Sequence, residues 1–127
     1  MHEISEENLK GAEEHAQLSH KHGQSIEKFA QDVKILEKSE SEHGKIIEEA
    51  GKAIKEHAQA ALEYAQAAHE DSTNSTENYC KSSSEHGKAV EAHVKASNEF
   101  LKVMKKQIEK TKESLYGQDE SNRGNIT

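Results

Sequence analysis

The sequence predicts an all-α fold, an antiparallel up-and-down bundle of three long helices, and three observations carry that expectation. Apolar residues recur at steps of three and four along nearly the whole chain, proline is absent, and only two stretches interrupt the pattern. Ile26, Phe29, Val33 and Leu36 show the period first. The same seam continues through Ile47, Ala50, Ile54, Ala61 and Ala68, and a second seam runs through Val90, Val94, Leu101, Met104, Ile108 and Leu115. Both have heptad character.

The clearest interruption is Asp71-Ser72-Thr73-Asn74-Ser75-Thr76, a run of residues whose side chains compete with backbone helix bonds. A weaker one lies at Lys38 to Glu42, where Ser39 followed by Glu42 reads as a capping box. Helices are therefore predicted near 3–38, 41–71 and 75–115, each about 45–60 Å long at about 1.5 Å per residue. A further turn at Ser19 to Ser25, with Gly23 as a helix C-cap, makes a four-helix bundle the alternative. Residues 1–116 are read as a single bundle domain, and 117–127, which lack an apolar period, as a flexible C-terminal tail.

Composition narrows the function classes. At 127 residues the chain has room for one core, and with 31% hydrophobic residues, no Trp, three Tyr and two Phe that core must be built from Ala, Ile, Leu and Val. The formal charge of −7 opposes nonspecific attraction to nucleic acid or to anionic headgroups and favours cationic partners, metal ions included. No run of 18 apolar residues exists, so no membrane insertion is expected. A glycine-rich phosphate loop, a nucleophile elbow and a paired-cysteine knuckle are all missing, so the chain is read as a non-enzyme. The single cysteine, Cys80, reads as a small buried hydrophobe.

The nine histidines are the concentrated chemistry. With one core column at Ala12, Ser19, Ile26, Val33, Ile47, Ile54, Ala61 and Ala68, the partner column is His15, His22, Phe29, Leu36, His43, Ala50, His57 and Tyr64, which puts four histidines on the inner seam. Beside them runs a column of small residues, Ala16, Gly23, Ala30, Gly44, Gly51, Ala58 and Ala65, suited to close helix approach. Each glycine costs up to about 1 kcal/mol relative to Ala in a helix, so a packing or site-forming reason is expected. The motifs also repeat: Glu14-His15-Ala16-Gln17 returns as Glu56-His57-Ala58-Gln59, and Ser41-Glu42-His43-Gly44-Lys45 as Ser84-Glu85-His86-Gly87-Lys88.

Imidazole is the commonest protein ligand for copper, nickel and zinc, through a neutral ring nitrogen. His15, His22, His43, His57, His86 and His93 recur at heptad multiples within their helices and are the leading candidate ligands. No His-x-x-x-His pair exists, so chelation must cross between helices. His20 and His69 lie off the stripe as secondary candidates, as does His2. Glu40 stands three residues before His43, the single Glu-x-x-His element that matches half of a di-iron motif. Binding that requires neutral imidazole should weaken below about pH 6.

His15-Ala16 through His22-Gly23, and His57-Ala58-Gln59-Ala60-Ala61-Leu62-Glu63 following Gly51-Lys52-Ala53, resemble the motifs of the small metal-binding protein family, histidine-rich helical proteins of the bacterial periplasm. The resemblance implies a four-helix bundle whose histidines reversibly bind divalent transition metals, copper foremost, for buffering or tolerance. It also implies a periplasmic or secreted location with any leader removed, a cytoplasmic one being the alternative. This sequence has sparser histidines, a longer last helix, and Phe29, Leu36 and Tyr64 at stripe positions. The competing function is a non-catalytic interaction module that forms a homodimer or grips a partner helix, its histidines tuning the packing.

Overall fold

The computed structural model describes residues 4–37 and 42–124, with side chains as far as residue 116. Three α-helices follow one another: α1 (Glu6–Glu37), α2 (Glu42–Glu70) and α3 (Ser75–Gly124). Ser5 caps α1 by accepting a hydrogen bond from the Asn8 amide at 3.2 Å, and Glu6 and Glu7 place negative charge in the first turn, where the helix dipole favours it. Between α2 and α3, Asp71 accepts from the Thr73 amide at 3.1 Å and from the Asn74 side chain at 3.0 Å. These bonds hold the Asp71 carboxyl below its ordinary range, the Asn74 bond most, and they stop α2 where the polar run begins. The capping box at Ser39 lies outside the described residues.

The expected four-helix alternative is corrected. α1 runs unbroken through Ser19 to Ser25, and Gly23 is a buried interior residue, not a C-cap. The physical reason is its neighbour. A Cβ on Gly23 would stand 2.6 Å from the Lys55 Cγ and 2.9 Å from the Gly51 carbonyl oxygen, so the glycine lets two helix backbones touch. At the other end, α3 continues past the expected limit near 115, to Gly124.

The helix directions follow from their contacts. Glu27 pairs with Lys55 at 2.8 Å and Lys34 with Glu48, so α1 and α2 are antiparallel. His57 pairs with Glu85 and His43 with Glu99, so α2 and α3 are antiparallel too. α1 and α3 are consequently parallel, and α2 packs closely against both.

The core is narrower than the apolar period suggests. Its buried residues are mostly small: Ala16, Gly23 and Ala30 on α1, Ala58, Ala61 and Ala65 on α2, Ala89 and Ala96 on α3. At one end Val33, Ile47 and Val103 close a cluster with Ala30, flanked by Ile26 and Phe100, while Ile54 and Leu9 are buried farther along the bundle. The column expected merely to lie beside the histidines is thus the core itself. Ser82 is buried on α3, and its hydroxyl donates to the Ala61 carbonyl at 2.7 Å.

The second seam is also corrected. Val90, Val94, Leu101, Met104, Ile108 and Leu115 are all exposed, between 44% and 58%, because α3 turns the Ser82, Ala89, Ala96 and Val103 column inward instead. Phe29 and Leu36 are exposed as well, and so is Cys80, against the expectation of a buried thiol.

Candidate metal centre

Where α1 faces α3, two heptad columns meet in register. On α1 the column is His15, His22 and Phe29; on α3 it is His86, His93 and Phe100. The rings pair rung by rung, His15 with His86 at 5.7 Å between centroids, His22 with His93 at 5.4 Å, and Phe29 with Phe100 at 5.2 Å. Every rung joins residues 71 apart in the chain, which is what two parallel helices with a common repeat produce. Successive rungs are about 10 Å apart along the axis.

The lowest rung opens into a cleft lined by Glu7, Tyr79 and Ser82 as well as by His15 and His86. The middle rung lies over Ser19, Ile54 and Ala89. A hydroxyl supports one imidazole of each: Ser19 Oγ stands 3.4 Å from His86 Nδ1, and Ser97 Oγ 3.5 Å from His93 Nδ1. Hydroxyl contacts of this kind set which ring nitrogen is left for a ligand. No hydrogen bond to the side chain of His15 or His22 is present among the described residues.

The remaining stripe histidines are engaged otherwise. His43 Nδ1 meets Glu99 Oε1, and His57 Nδ1 meets Glu85 Oε2 at 2.7 Å, so these two imidazoles tie α2 to α3. The His43 hydrogen bond holds the Glu99 carboxyl below its ordinary range although burial pushes the other way, and Lys102 adds to the lowering. His57 does the same for Glu85, against its desolvation and with help from Lys88. His69 lies against α1, 3.4 Å from Glu13 and 3.7 Å from Glu6, and His20 lines the groove between α1 and α2. Neither joins the ladder. Glu40 and His2 fall outside the described residues.

Sequence reasoning singled out the ladder histidines but missed the partners of the others. A signal was present: His43 and His57 are 14 residues apart, as are Glu85 and Glu99, which is the spacing two antiparallel helices need for paired ties. Eight of the nine histidines are described, and the fold sorts them into three groups by helix interface.

Two imidazoles binding one ion, each at about 2.0–2.1 Å from the metal, place their ring centroids roughly 4.5–5.2 Å apart. Both histidine rungs lie within roughly half an ångström of that range, a gap that a small side-chain rotation closes. No group of three or more His, Cys, Asp or Glu side chains suited to one ion is present among the described residues. Each rung thus offers two imidazoles, and an ion held there would take its other ligands from water or from an external molecule. No family model, no curated protein and no solved structure matches the chain.

Proposed function

We propose that the protein binds divalent transition metal ions at the two histidine rungs between α1 and α3, His15 with His86 and His22 with His93, and buffers them by exchange. The observation that carries this reading is the pairing of imidazoles across two helices in one register, each pair oriented by a serine hydroxyl on one member. Copper(II) is the preferred ion, because among divalent first-row metals it binds nitrogen donors most tightly. Zinc and nickel follow at lower affinity. Two protein ligands per ion and a rim open to solvent suit reversible capture, since a site with open coordination positions releases its ion to a competing ligand.

The acidic surface supports the same reading. With a formal charge of −7, the chain attracts cations before any ligand is engaged. His43 and His57 are assigned a structural part, because an ion taking either Nδ1 must first displace a carboxylate.

Calorimetric titration with Cu²⁺ near pH 7.4 tests the assignment. Two sites are expected in the unaltered chain, one in His15→Gln/His86→Gln, one in His22→Gln/His93→Gln, and none in the fourfold variant. His43→Gln/His57→Gln is expected to keep both. Full binding by the fourfold variant would overturn the proposal.

A further inference from the structure

α3 is longer than the bundle it belongs to, and its exposed apolar residues run on past the end of that bundle. Val94, Leu101, Ile108 and Leu115 follow one another at seven-residue steps, with Val90 and Met104 on the adjoining column, and all six are exposed. With the first four at heptad position a, the second column is position d, where Ser97 and Thr111 alternate with Val90 and Met104. The stripe falls into two parts. Val90 to Met104 lies level with α1, as the His22 to His93 and Phe29 to Phe100 rungs show. Ile108 and Leu115 lie on an extension: Lys106 donates to Glu37, the last residue of α1, at 3.0 Å, and α3 continues from there to Gly124, about 27 Å further.

The two parts complement each other when a second copy is laid antiparallel. The extension of each copy then lies along the bundle of the other, and the two bundles point away from one another, meeting only near Lys106. One register covers the whole stripe. It sets Val90 against Leu115 of the second copy, Val94 against Thr111, Ser97 against Ile108 and Leu101 against Met104, each layer occurring twice and each holding at least one apolar side chain.

The edges of the seam agree with that register. In it Glu91 faces Lys112 of the second copy and Asn98 faces Lys105, while on the other edge His93 faces Ser114 and Phe100 faces Gln107. Among the described residues neither Glu91 nor Lys112 is in an ion pair within its own chain, and both are exposed. A shift of one heptad one way sets Lys105 against Lys105, and the other way sets Leu115 against Ser83. A parallel pair sets Lys105 and Lys112 against Phe100 and Gln107 and brings neither lysine a carboxylate.

We propose that two copies of this chain pair antiparallel along the outward face of α3, from Val90 to Leu115, with Leu101 and Met104 in the central layers and a Glu91–Lys112 ion pair at each end. The seam borders the histidine ladder, since His93 and Phe100 form one of its edges, so the extension of one copy lies beside the His22–His93 rung of the other. Pairing through apolar layers requires no metal.

The test is sedimentation equilibrium of the full chain in EDTA, over about a hundredfold range of concentration. The mass is expected to rise from the 14.2 kDa of one chain to twice that value. Leu101→Glu/Ile108→Glu is expected to stay at the mass of one chain throughout, and to keep the circular dichroism of the unaltered chain at its most dilute, since both residues are exposed. At low salt, Glu91→Lys and Lys112→Glu are each expected to weaken pairing about fivefold, and Glu91→Lys/Lys112→Glu to restore it. In chains carrying Cys80→Ser, Val94→Cys is expected to form a disulfide with Thr111→Cys on mixing and none with itself. A single-chain mass at every concentration overturns the proposal, as does a dimer that survives Leu101→Glu/Ile108→Glu. So does crosslinking of Val94→Cys to itself, or a double charge reversal that fails to restore pairing. Capture of unpaired chains by vesicles of anionic lipid would assign the face to a membrane surface and overturn it as well.

Discussion

Gly23 and Gly51 meet backbone to backbone: the Cβ that Gly23 lacks would stand 2.9 Å from the Gly51 carbonyl oxygen, and the one that Gly51 lacks 3.1 Å from that of Gly23. α1 and α2 approach as closely as they do because neither has a side chain at this crossing. Gly23→Ala and Gly51→Ala are each expected to destabilise the fold by about 1–3 kcal/mol, the usual effect of forcing atoms into a packed contact. Gly87 and Gly11 have nothing within 4 Å of an added Cβ. Gly87→Ala is therefore expected to stabilise by up to about 1 kcal/mol through helix propensity alone. Urea unfolding of the three variants measures both signs, and stabilisation by Gly23→Ala would refute the close approach.

The alanine core makes a related demand. Ala58 and Ala65 are fully buried on α2, at positions where larger residues would have to push the neighbouring helices outward. Ala58→Leu is expected to lower stability by about 1–3 kcal/mol despite its greater hydrophobicity. Leu18→Ala, at an exposed position, is expected to stay within about 0.5 kcal/mol of the unaltered chain. Chemical denaturation midpoints compare the two directly.

Acid should loosen the contact between α2 and α3. Glu85 and Glu99 both have folded-state pKa values below the ordinary 4.5, owing first to their hydrogen bonds with His57 and His43. A carboxylate with a depressed folded pKa contributes stability that is fully present above its unfolded pKa and is lost as pH falls through the folded one. Thermal stability is thus expected to fall as pH drops below about 4.5. Glu99→Gln should flatten that acid-side slope and lower the plateau above it, because Glu99 is only 7% exposed and loses its charged bond to His43. Melting curves from pH 3 to 7 check the sign; an unaltered slope in the variant would show that the bond adds nothing.

Metal at the rungs should stabilise the fold that holds it. A ligand present at about 100 times its dissociation constant contributes about 2.7 kcal/mol per site, on the order of 10 °C in melting temperature for a chain this small. Cu²⁺ is expected to produce that rise in the unaltered chain and no rise in the fourfold glutamine variant. The copper electron paramagnetic resonance spectrum should show hyperfine coupling to two equatorial nitrogens. Acidification should weaken both effects, because metal binding requires the deprotonated ligand.

Much of this was legible in the residues, though unevenly. Helix class, the stop at Asp71 and the grouping of histidines by heptad followed from spacing and turn chemistry, which act locally. What failed was the choice of inward face. Val90, Val94, Leu101 and Ile108 are the more hydrophobic column of α3, yet Ser82, Ala89, Ala96 and Val103 face the core. Close packing against an alanine-rich α2 selects small residues over hydrophobic ones, and a pattern based on hydrophobicity cannot see that preference. Gly23 sits in the small-residue column that predicts close helix approach, and it is not the C-cap of the four-helix alternative.

Because α2 lies between α1 and α3 in sequence while the rungs join the outer two helices directly, an ion held at either rung fastens together points 71 residues apart. Such a fastening shortens the free contour of the unfolded chain far more than a bond within one helix or across one turn, and the entropy removed grows with the length enclosed. Copper on this protein would therefore work as a removable crosslink, closing a loop that covers more than half of the polypeptide and opening it again when a competing ligand takes the ion.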